Sequence, residues 1–388
     1  MSLDKLFRPL QVGHTVLQHR IVMAPLTRMR ADEQHVPPSF AKEYYAQRGS
    51  TPGTMIITEA TFISPRHGGY PKVPGIWSQA QIDSWREIVD AVHNAGSSIW
   101  LQLWALGRVA KESILQDTEG GSFKVYAPSA IGVDASQTNI GSGLRVPLAM
   151  DEKEIQFAIE SYASAARNAM SAGFDGVEIH GANGYLIDQF WQDVSNVRSD
   201  RWGGNVENRA RFGLEVTKAV IKAVGDSKKV GMRLSPWGKF QGMGMQDPVP
   251  QFDYIIQQMK SLDIAYLHLI ESRISGSASD GVYDDEGTTE LKHFIDTWGH
   301  AKPVILAGGF TPEKAKWAVG EAATGDNVAI GFGRLFISTP DLPYRIRNDI
   351  ELNRWDRSTF YTSGPEGYTD YPFSKEFISE RGKTEARL

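Results

Sequence analysis

Short hydrophobic runs recur along the whole chain, and several of them are bounded by glycine, proline or asparagine. Runs of this kind are typical of strands that are buried on both faces, as in a parallel sheet. We therefore predict eight strands, in the segments Arg20–Pro25, Thr54–Glu59, Ser98–Leu103, Gly176–His180, Val230–Leu234, Tyr266–Ile270, Pro303–Ala307 and Asn327–Gly331.

Amphipathic segments with helix start signals separate these runs. Ser78 and Gln81 form a capping-box pattern, and Asp151 with Glu154 three residues later is a second N-terminal signal. Thr311 precedes a proline, which suits the first position of a helix. Because parallel strands require crossover connections, this alternation predicts an α/β fold, a (β/α)8 TIM barrel.

Three segments are additional to the eight units. Leu10–His19 alternates around Gly13 and predicts an N-terminal hairpin that covers the bottom of the barrel. Trp104–Met150 is a long loop after the third strand, on the side where barrels keep their active sites. Leu352–Leu388 is rich in aromatic residues, which indicates a packed C-terminal extension. We expect residues 1–388 to form a single domain.

Composition excludes several classes of function. The 388-residue chain has 41 basic and 46 acidic residues and a net charge of −5, which disfavours non-specific nucleic-acid binding, since that requires a basic surface. It has no cysteine, which excludes disulfides, iron–sulfur clusters and a cysteine nucleophile. No run approaches the roughly 18 apolar residues of a membrane span. We expect a small-molecule partner and a monomer or homodimer.

The final tripeptide carries a weak targeting pattern. Ala386, Arg387 and Leu388 form a small-basic-leucine sequence, a relaxed version of a peroxisomal address. A tripeptide also matches by chance, and the start of the chain has no apolar run that indicates a secretory signal. We predict a cytoplasmic location, with the peroxisome as the alternative.

Glycine-rich sequences follow the seventh and eighth strands. Gly308 and Gly309 precede a helix start, and Gly333 and Arg334 precede another. Glycines allow main-chain N–H groups to approach an anion, helix N-termini favour it, and arginine binds phosphate bidentately. Since these two loops are the usual phosphate site of TIM barrels, the pattern predicts a phosphate ligand. The alternative is that the glycines only turn the chain.

Other strand ends carry groups that suit a planar heterocycle. Arg233 ends the fifth strand and needs an anionic partner, which the N1–C2=O edge of a reduced flavin or an internal salt bridge would provide. Gln102 and Thr27 offer an amide and a hydroxyl on other strands. The carboxylates Glu59, Glu178 and Glu271 fit either a glycosidase pair or structural partners of buried groups; the pattern favours structural partners.

One cluster at the end of the fourth strand carries three hydrogen-bond donors. His180 and Asn183 can both donate to one oxygen, which stabilises negative charge as that oxygen becomes enolate-like. Tyr185 can deliver a proton to a neighbouring carbon. The chain has no Gly-x-Gly-x-x-Gly after a strand, no Walker sequence and no His-Glu-x-x-His, and its nine histidines show no metal spacing. We therefore predict catalysis without a metal or a Rossmann domain.

These motifs, taken together, resemble the old yellow enzyme family of flavin-dependent ene-reductases, and the tail is similar to its yeast, fungal and plant 12-oxophytodienoate-reductase branch. The segments that carry the resemblance are Pro25–Arg28, Thr58–Ala60, Leu101–Trp104, Ile179–Leu186, Gly203–Asn205, Glu207–Arg209, Arg233–Pro236, Ala307–Phe310, Gly331–Arg334, Phe360–Tyr361 and Glu366–Tyr368.

The resemblance implies a bound FMN and transient NADPH. It implies cofactor contacts from Pro25, Leu26, Thr27, Ala60, Gln102, His180, Arg233, Gly308, Gly309, Gly333 and Arg334. It implies substrate contacts from Trp104, His180, Asn183, Tyr185, Phe240 and Tyr361, with catalysis by His180, Asn183 and Tyr185. Ala60 stands where some members of the family have glycine.

The implied activity is that of an NADPH dehydrogenase that reduces the activated C=C bond of an α,β-unsaturated carbonyl compound by ping-pong hydride transfer. Tyr185 favours net reduction over redox-neutral isomerisation. A dedicated secondary-metabolite reductase or isomerase of the same family is the main alternative. A barrel hydrolase or aldolase is a further alternative, although it would need paired carboxylates or a reactive lysine.

Overall fold

Eight parallel strands form a closed barrel in the computed structural model, which describes residues 3–116, 121–137, 144–272, 274–275, 278–279, 286–322 and 326–385. The strands are β1 (Ile21–Met23), β2 (Met55–Ile57), β3 (Ser98–Trp104), β4 (Gly176–Gly181), β5 (Val230–Leu234), β6 (Tyr266–Ile270), β7 (Val304–Ala307) and β8 (Val328–Phe332). Each strand pairs in parallel with the next, and β8 pairs with β1. The predicted (β/α)8 barrel is confirmed.

Helices follow the strands and surround the barrel. They are α1 (Ala41–Arg48), α2 (Gln79–Asn94), α3 (Glu152–Ser171), α4 (Val206–Val224), α5 (Val249–Ser261), α6 (Glu286–Trp298), α7 (Pro312–Trp317) and α8 (Leu342–Asn348). The predicted start signals are confirmed, because Ser78, Asp151 and Thr311 each accept a main-chain N–H bond at the beginning of α2, α3 and α7.

Shorter elements lie in the connections. The helical ones are Leu3–Leu6, Pro65–His67, Gly107–Val109, Glu112–Gln116, Ala135–Gln137, Leu186–Trp191, Ser227–Lys229, Phe240–Gly242, Ala318–Ala322, Arg334–Ser338, Arg357–Thr359 and Lys375–Glu385. Thr61–Phe62 pairs with the end of β3, Tyr126–Ala127 with Leu148–Ala149, and Ile274–Ser275 with Ala278–Ser279. Among the described residues, no helix combines the length and the apolar character that crossing a bilayer requires. Ala386–Leu388 lie outside the described residues.

The predicted hairpin closes the N-terminal end of the barrel. Leu10–Val12 pairs antiparallel with Thr15–Leu17 around Gly13, whose φ is +55°. A Cβ atom at this glycine would lie 2.1 Å from the carbonyl oxygen of Lys228, so a larger residue would push the hairpin away from the barrel. The apolar side chains of the hairpin form one cluster with the interior side chains Val22, Met55, Ile57, Trp100, Ala265, Tyr266, Ile305 and Ala329. Within the described residues, the hairpin therefore closes this end of the barrel interior.

A polar layer lies above this apolar cluster inside the barrel. Glu178 is completely buried and accepts hydrogen bonds from Gln102 Nε2 at 2.7 Å, Tyr266 Oη at 3.0 Å and His268 Nδ1 at 2.8 Å. Burial alone opposes its ionisation, but His268 and the nearby Arg233 guanidinium hold the pKa of Glu178 below its ordinary value. Glu178 is thus a structural anion that joins three strands.

The C-terminal extension packs on the barrel, as its aromatic content predicts. Arg28 donates to the carbonyl oxygens of Phe360 and Gly367, and Arg30 donates to five acceptors within residues 359–366. Tyr368 stacks on Tyr44 of α1 with ring centroids 3.8 Å apart. These contacts hold the segment that contains Phe360 at the C-terminal end of the barrel.

Candidate active site

A cavity of about 720 Å³ opens at the C-terminal ends of the strands. The residues that the sequence predicts for the site all line it: Pro25, Leu26, Thr27, Ala60, Gln102, Trp104, His180, Asn183, Tyr185, Arg233, Phe240, Gly308, Gly309, Gly333, Arg334 and Tyr361. Sequence reasoning missed further lining residues, among them Tyr70, Lys111 and Arg357. The site is therefore assembled from most of the strand ends and from the extension.

Strand register brings Arg233 and His180 together. The two residues are direct partners on the neighbouring strands β5 and β4. The Arg233 Nε atom is buried and has no hydrogen-bond partner among the described residues. Burial lowers the pKa of Arg233 while Glu178 raises it, and a guanidinium keeps its charge throughout the physiological range. A partly buried cation with an unused, buried donor favours a ligand that presents a carbonyl or anionic edge.

The amide of Gln102 has a defined orientation. A carboxylate can only accept hydrogen bonds, so the Gln102 nitrogen must be the atom that faces Glu178 at 2.7 Å. The amide oxygen is then left to accept an N–H from a ligand in the cavity that Gln102 lines. This acceptor and the donors of Arg233 are of the kind that the pyrimidine half of a flavin requires.

The loops after β7 and β8 have main-chain geometry that suits an anion. Gly309 has φ +68°, and a Cβ atom on Gly308 would lie 2.7 Å from the Glu271 side chain, so glycine is required for this close turn. Gly333 directly precedes the helix Arg334–Ser338. The Arg334 guanidinium lies over the Trp355 ring, 5.3 Å from its centroid. Glycine main chain and an arginine at the cavity edge fit the phosphate of FMN.

Two of the three predicted catalytic side chains, those of His180 and Tyr185, lie on one wall of the cavity, and Asn183 also lines it. The rings of His180 and Tyr185 have centroids 5.0 Å apart, and the Trp104 ring lies 4.8 Å from Tyr185 and 6.2 Å from His180. Burial and then the charge of Arg233 hold the pKa of His180 well below its usual range, so the imidazole is neutral. Burial also raises the pKa of Tyr185, which keeps its hydroxyl protonated.

The turn that displays Asn183 is held by residues that the sequence analysis did not identify. Asn183 has left-handed backbone with φ +59°, and its N–H donates to Ser235 Oγ at 2.8 Å. The buried Asp188 accepts the Gly184 N–H at 2.8 Å, and burial raises the pKa of Asp188 to about 6. Gln189 donates to the Gly184 carbonyl oxygen at 2.7 Å. Asp188 and Gln189 lie on the short, fully buried helix Leu186–Trp191. Polar residues within this otherwise apolar segment are the sequence signal that could have indicated their role.

The carboxylates that the sequence left open are structural. Glu59 accepts the Arg28 N–H at 3.1 Å, and Glu271 pairs with Lys314 Nζ at 3.2 Å. The described residues that line the cavity do not include Glu59, Glu178 or Glu271. The described residues of the site therefore include no carboxylate pair for glycoside hydrolysis.

Comparison with known proteins agrees with this geometry. The model of the NADH:flavin oxidoreductase / NADH oxidase family, whose members bind FMN, matches residues 5–353. The chain is 52% identical to chanoclavine-I aldehyde reductase of Penicillium roqueforti, over 97% of this chain and 98% of that protein. It is 48% identical to a protein described as a probable inactive reductase of Epichloe festucae var. lolii, over 99% of each.

The fold comparison gives the same result. The structure of an old yellow enzyme homologue from Zymomonas mobilis superposes with a TM-score of 0.84 and 40% identity, and covers 95% of this chain and 99% of that one. The chain belongs to the FMN-binding NADH:flavin oxidoreductase / NADH oxidase family, as an old yellow enzyme homologue.

Proposed function

We propose that this flavin oxidoreductase uses NADPH to reduce the C=C bond of an α,β-unsaturated aldehyde or ketone, with His180, Asn183 and Tyr185 as its catalytic residues. The observation that supports this most is the single wall on which a neutral His180 and a protonated Tyr185 meet, next to Arg233. Two donors for an oxygen and one for a carbon are what such a reduction requires.

Strand ends and loops around the cavity would hold FMN. Arg233 and Gln102 would bind its pyrimidine edge, Thr27 its C4=O/N5 edge, and Pro25, Leu26 and Ala60 its ring. Gly308, Gly309, Gly333 and Arg334 would bind its phosphate. When bound, FMN supplies the hydride acceptor for NADPH and the hydride donor for the alkene.

His180 and Asn183 would bind the carbonyl oxygen of the substrate. A neutral imidazole and an amide both donate to this oxygen, and their donation becomes stronger as negative charge develops there. Burial and then the charge of Arg233 keep His180 neutral. The imidazole therefore carries no full positive charge, which would also stabilise an anion bound before the reaction. Tyr185 would protonate the α-carbon, because its raised pKa keeps the proton available at neutral pH.

The substrate side of the cavity favours an apolar enal or enone. The aromatic residues that line the cavity together with His180 and Tyr185 include Trp104, Phe240 and Tyr361. The similarity to a fungal aldehyde reductase supports a secondary-metabolite aldehyde as the physiological substrate. Tyr185 supports net reduction rather than isomerisation. Isomerisation restores the C=C bond and leaves no carbon with an added proton, so it needs no proton donor of this kind.

A visible spectrum of the purified protein tests this proposal. We expect flavin absorbance that is bleached by NADPH under nitrogen and restored by a conjugated aldehyde, with the saturated aldehyde as product. NADH in place of NADPH measures the preference between the two nucleotides. A protein that remains colourless with excess FMN, or a reduced protein that the aldehyde does not reoxidise, would refute the proposal.

We also propose that residues 1–388 act as a single FMN-binding domain, as a monomer or homodimer in the cytoplasm. The peroxisome is the alternative suggested by Ala386–Leu388. Fusion of the last ten residues to a fluorescent protein distinguishes the two locations, because punctate fluorescence would reject the cytoplasmic one. Light scattering of the purified protein gives the oligomeric state.

A further inference from the structure

Two charged side chains occupy successive layers inside the barrel. Glu178 on β4 is the register partner of Gly231 on β5, and Arg233 follows Gly231 by two residues. Alternate residues of a strand face the same side at a spacing of about 7 Å, so Arg233 lies one layer nearer the cavity than Glu178. Arg233 lines the cavity, whereas its described lining residues do not include Glu178. The carboxylate of Glu178 thus belongs to the layer directly below that of Arg233.

Gln102 connects this carboxylate to the cavity from the other side. It is the register partner of Glu178 on β3, and its Nε2 donates to Glu178 Oε1 at 2.7 Å. Gln102 itself lines the cavity. Glu178 therefore adjoins both side chains that are proposed to bind the pyrimidine edge of FMN, through a hydrogen bond to Gln102 and through the neighbouring layer to Arg233.

The hydrogen-bond partners of Glu178 do not neutralise its charge. Gln102 and Tyr266 are neutral donors. His268 donates through Nδ1 at 2.8 Å, and its Nε2 is buried and has no partner among the described residues. A proton on that nitrogen would be a buried N–H without an acceptor, so the neutral imidazole is favoured, and burial accordingly lowers the pKa of His268. The barrel interior therefore keeps an anion behind the proposed flavin site.

We propose that the charge of Glu178 lowers the reduction potential of the bound flavin, an inference that rests on the proposed contacts of Arg233 and Gln102 with the pyrimidine edge. That edge is anionic in the reduced flavin, and the Arg233 guanidinium stabilises it. Glu178 opposes this effect, because its carboxylate repels the same charge. Glu178 acts from outside the cavity lining, through the electric field at the site.

The charge balance of the two half-reactions gives the consequence. Hydride from NADPH brings two electrons and one proton to the neutral flavin ring, which then carries one negative charge. Hydride transfer to the alkene removes that charge again. An anion below the site raises the free energy of the reduced form and therefore makes it a stronger hydride donor. Glu178 thus favours the alkene half-reaction at the expense of the NADPH half-reaction.

A potentiometric titration of the FMN-loaded protein, with a reference dye and the flavin absorbance as readout, tests the inference. Glu178→Gln keeps the size of the side chain and one acceptor oxygen but removes the charge. We expect the ratio of the affinities for reduced and oxidised FMN to rise about tenfold, which is a positive shift of about 30 mV for a two-electron couple. An unchanged or lower potential would overturn the inference.

Tyr266→Phe and Glu178→Asp separate the effect of charge from that of a disturbed hydrogen-bond network. Tyr266→Phe removes a neutral donor 3.0 Å from the carboxylate and keeps the charge, so it should not raise the potential. Glu178→Asp also keeps the charge, and its potential should lie closer to that of the wild type than the potential of Glu178→Gln does. A positive shift in Tyr266→Phe as large as that in Glu178→Gln would reject the role of the charge.

Stopped-flow measurements of the two half-reactions provide a second readout. In Glu178→Gln the rate of reoxidation by a conjugated aldehyde should fall relative to the rate of reduction by NADPH, because the reduced flavin is a weaker hydride donor. A relative increase would contradict the inference. The proposed flavin contacts fail separately, since an FMN affinity that Arg233→Met leaves unchanged would remove Arg233 from the site whatever the potential of Glu178→Gln.

Discussion

Replacing Glu178 tests whether the polar layer inside the barrel holds the strands together. Its carboxylate accepts from Gln102, Tyr266 and His268 at 2.7, 3.0 and 2.8 Å, and all of these groups are buried. Glu178→Leu leaves three donors without an acceptor in a site where water cannot replace it. Glu178→Gln keeps one acceptor oxygen and adds an N–H, so it is the milder change.

The magnitude follows from the hydrogen bonds that are lost. An unsatisfied buried donor costs about 1–3 kcal/mol, so three donors cost about 3–9 kcal/mol. Burial of the leucine side chain stabilises the variant by about 2 kcal/mol. The desolvation cost of the carboxylate is also removed. The expected net loss is about 3–5 kcal/mol for Glu178→Leu, the size seen when one partner of a buried ion pair is removed. For Glu178→Gln we expect about 1–3 kcal/mol.

Urea unfolding followed by tryptophan fluorescence measures this loss. Glu87→Gln, at an exposed carboxylate 3.9 Å from Lys42, is the matched control and should change the unfolding free energy by less than about 0.5 kcal/mol. An unchanged urea midpoint for Glu178→Leu would refute the reasoning. Gln102 also loses the partner that orients its amide, so FMN affinity should fall in both variants of Glu178.

The pH dependence of stability gives a second check on the same residue. The folded pKa of Glu178 lies below its ordinary value of 4.5, so its contribution is present above that pH and is lost as the pH falls through the folded pKa. The wild type should therefore lose more stability than Glu178→Gln between neutral and strongly acidic pH. Equal slopes for the two proteins would show that folding does not lower the pKa of Glu178.

The remaining predictions concern the cavity. Tyr185→Phe should slow alkene reduction by about 10²- to 10⁴-fold and leave flavin reduction by NADPH nearly intact; equal loss of both half-reactions would count against its role as proton donor. His180→Ala combined with Asn183→Ala should abolish the long-wavelength absorbance of a bound phenol, and retained absorbance would reject the oxyanion site. Arg233→Met should weaken FMN binding at least about tenfold in a fluorescence titration, because it removes a charged donor from the pyrimidine site. Unchanged FMN affinity would remove Arg233 from that site.

Sequence alone was sufficient for the order of the elements and for most residues of the cavity. The eight strands match the predicted runs to within about three residues at either end, because each is a short apolar segment with local boundary signals. In a (β/α)8 barrel the C-terminal strand ends must meet at one end, so the side chains at those ends could be gathered into one site before any distance was known. The helix caps, such as Ser78 with Gln81, depend on contacts within one turn and are equally local.

Only the tertiary structure decided which polar groups support that site. Glu178 receives hydrogen bonds from β3 and β6, and Gln241 donates to the main chain of Asn183 across 58 positions of the sequence, so neither pairing has a local pattern. Arg28 and Arg30 hold a segment more than 300 residues away. Side-chain partners inside a barrel depend on strand register and loop packing, which bring together residues that are remote in sequence. Hydrophobic patterning determines which residues are buried, whereas the partner of each buried polar group depends on the complete fold.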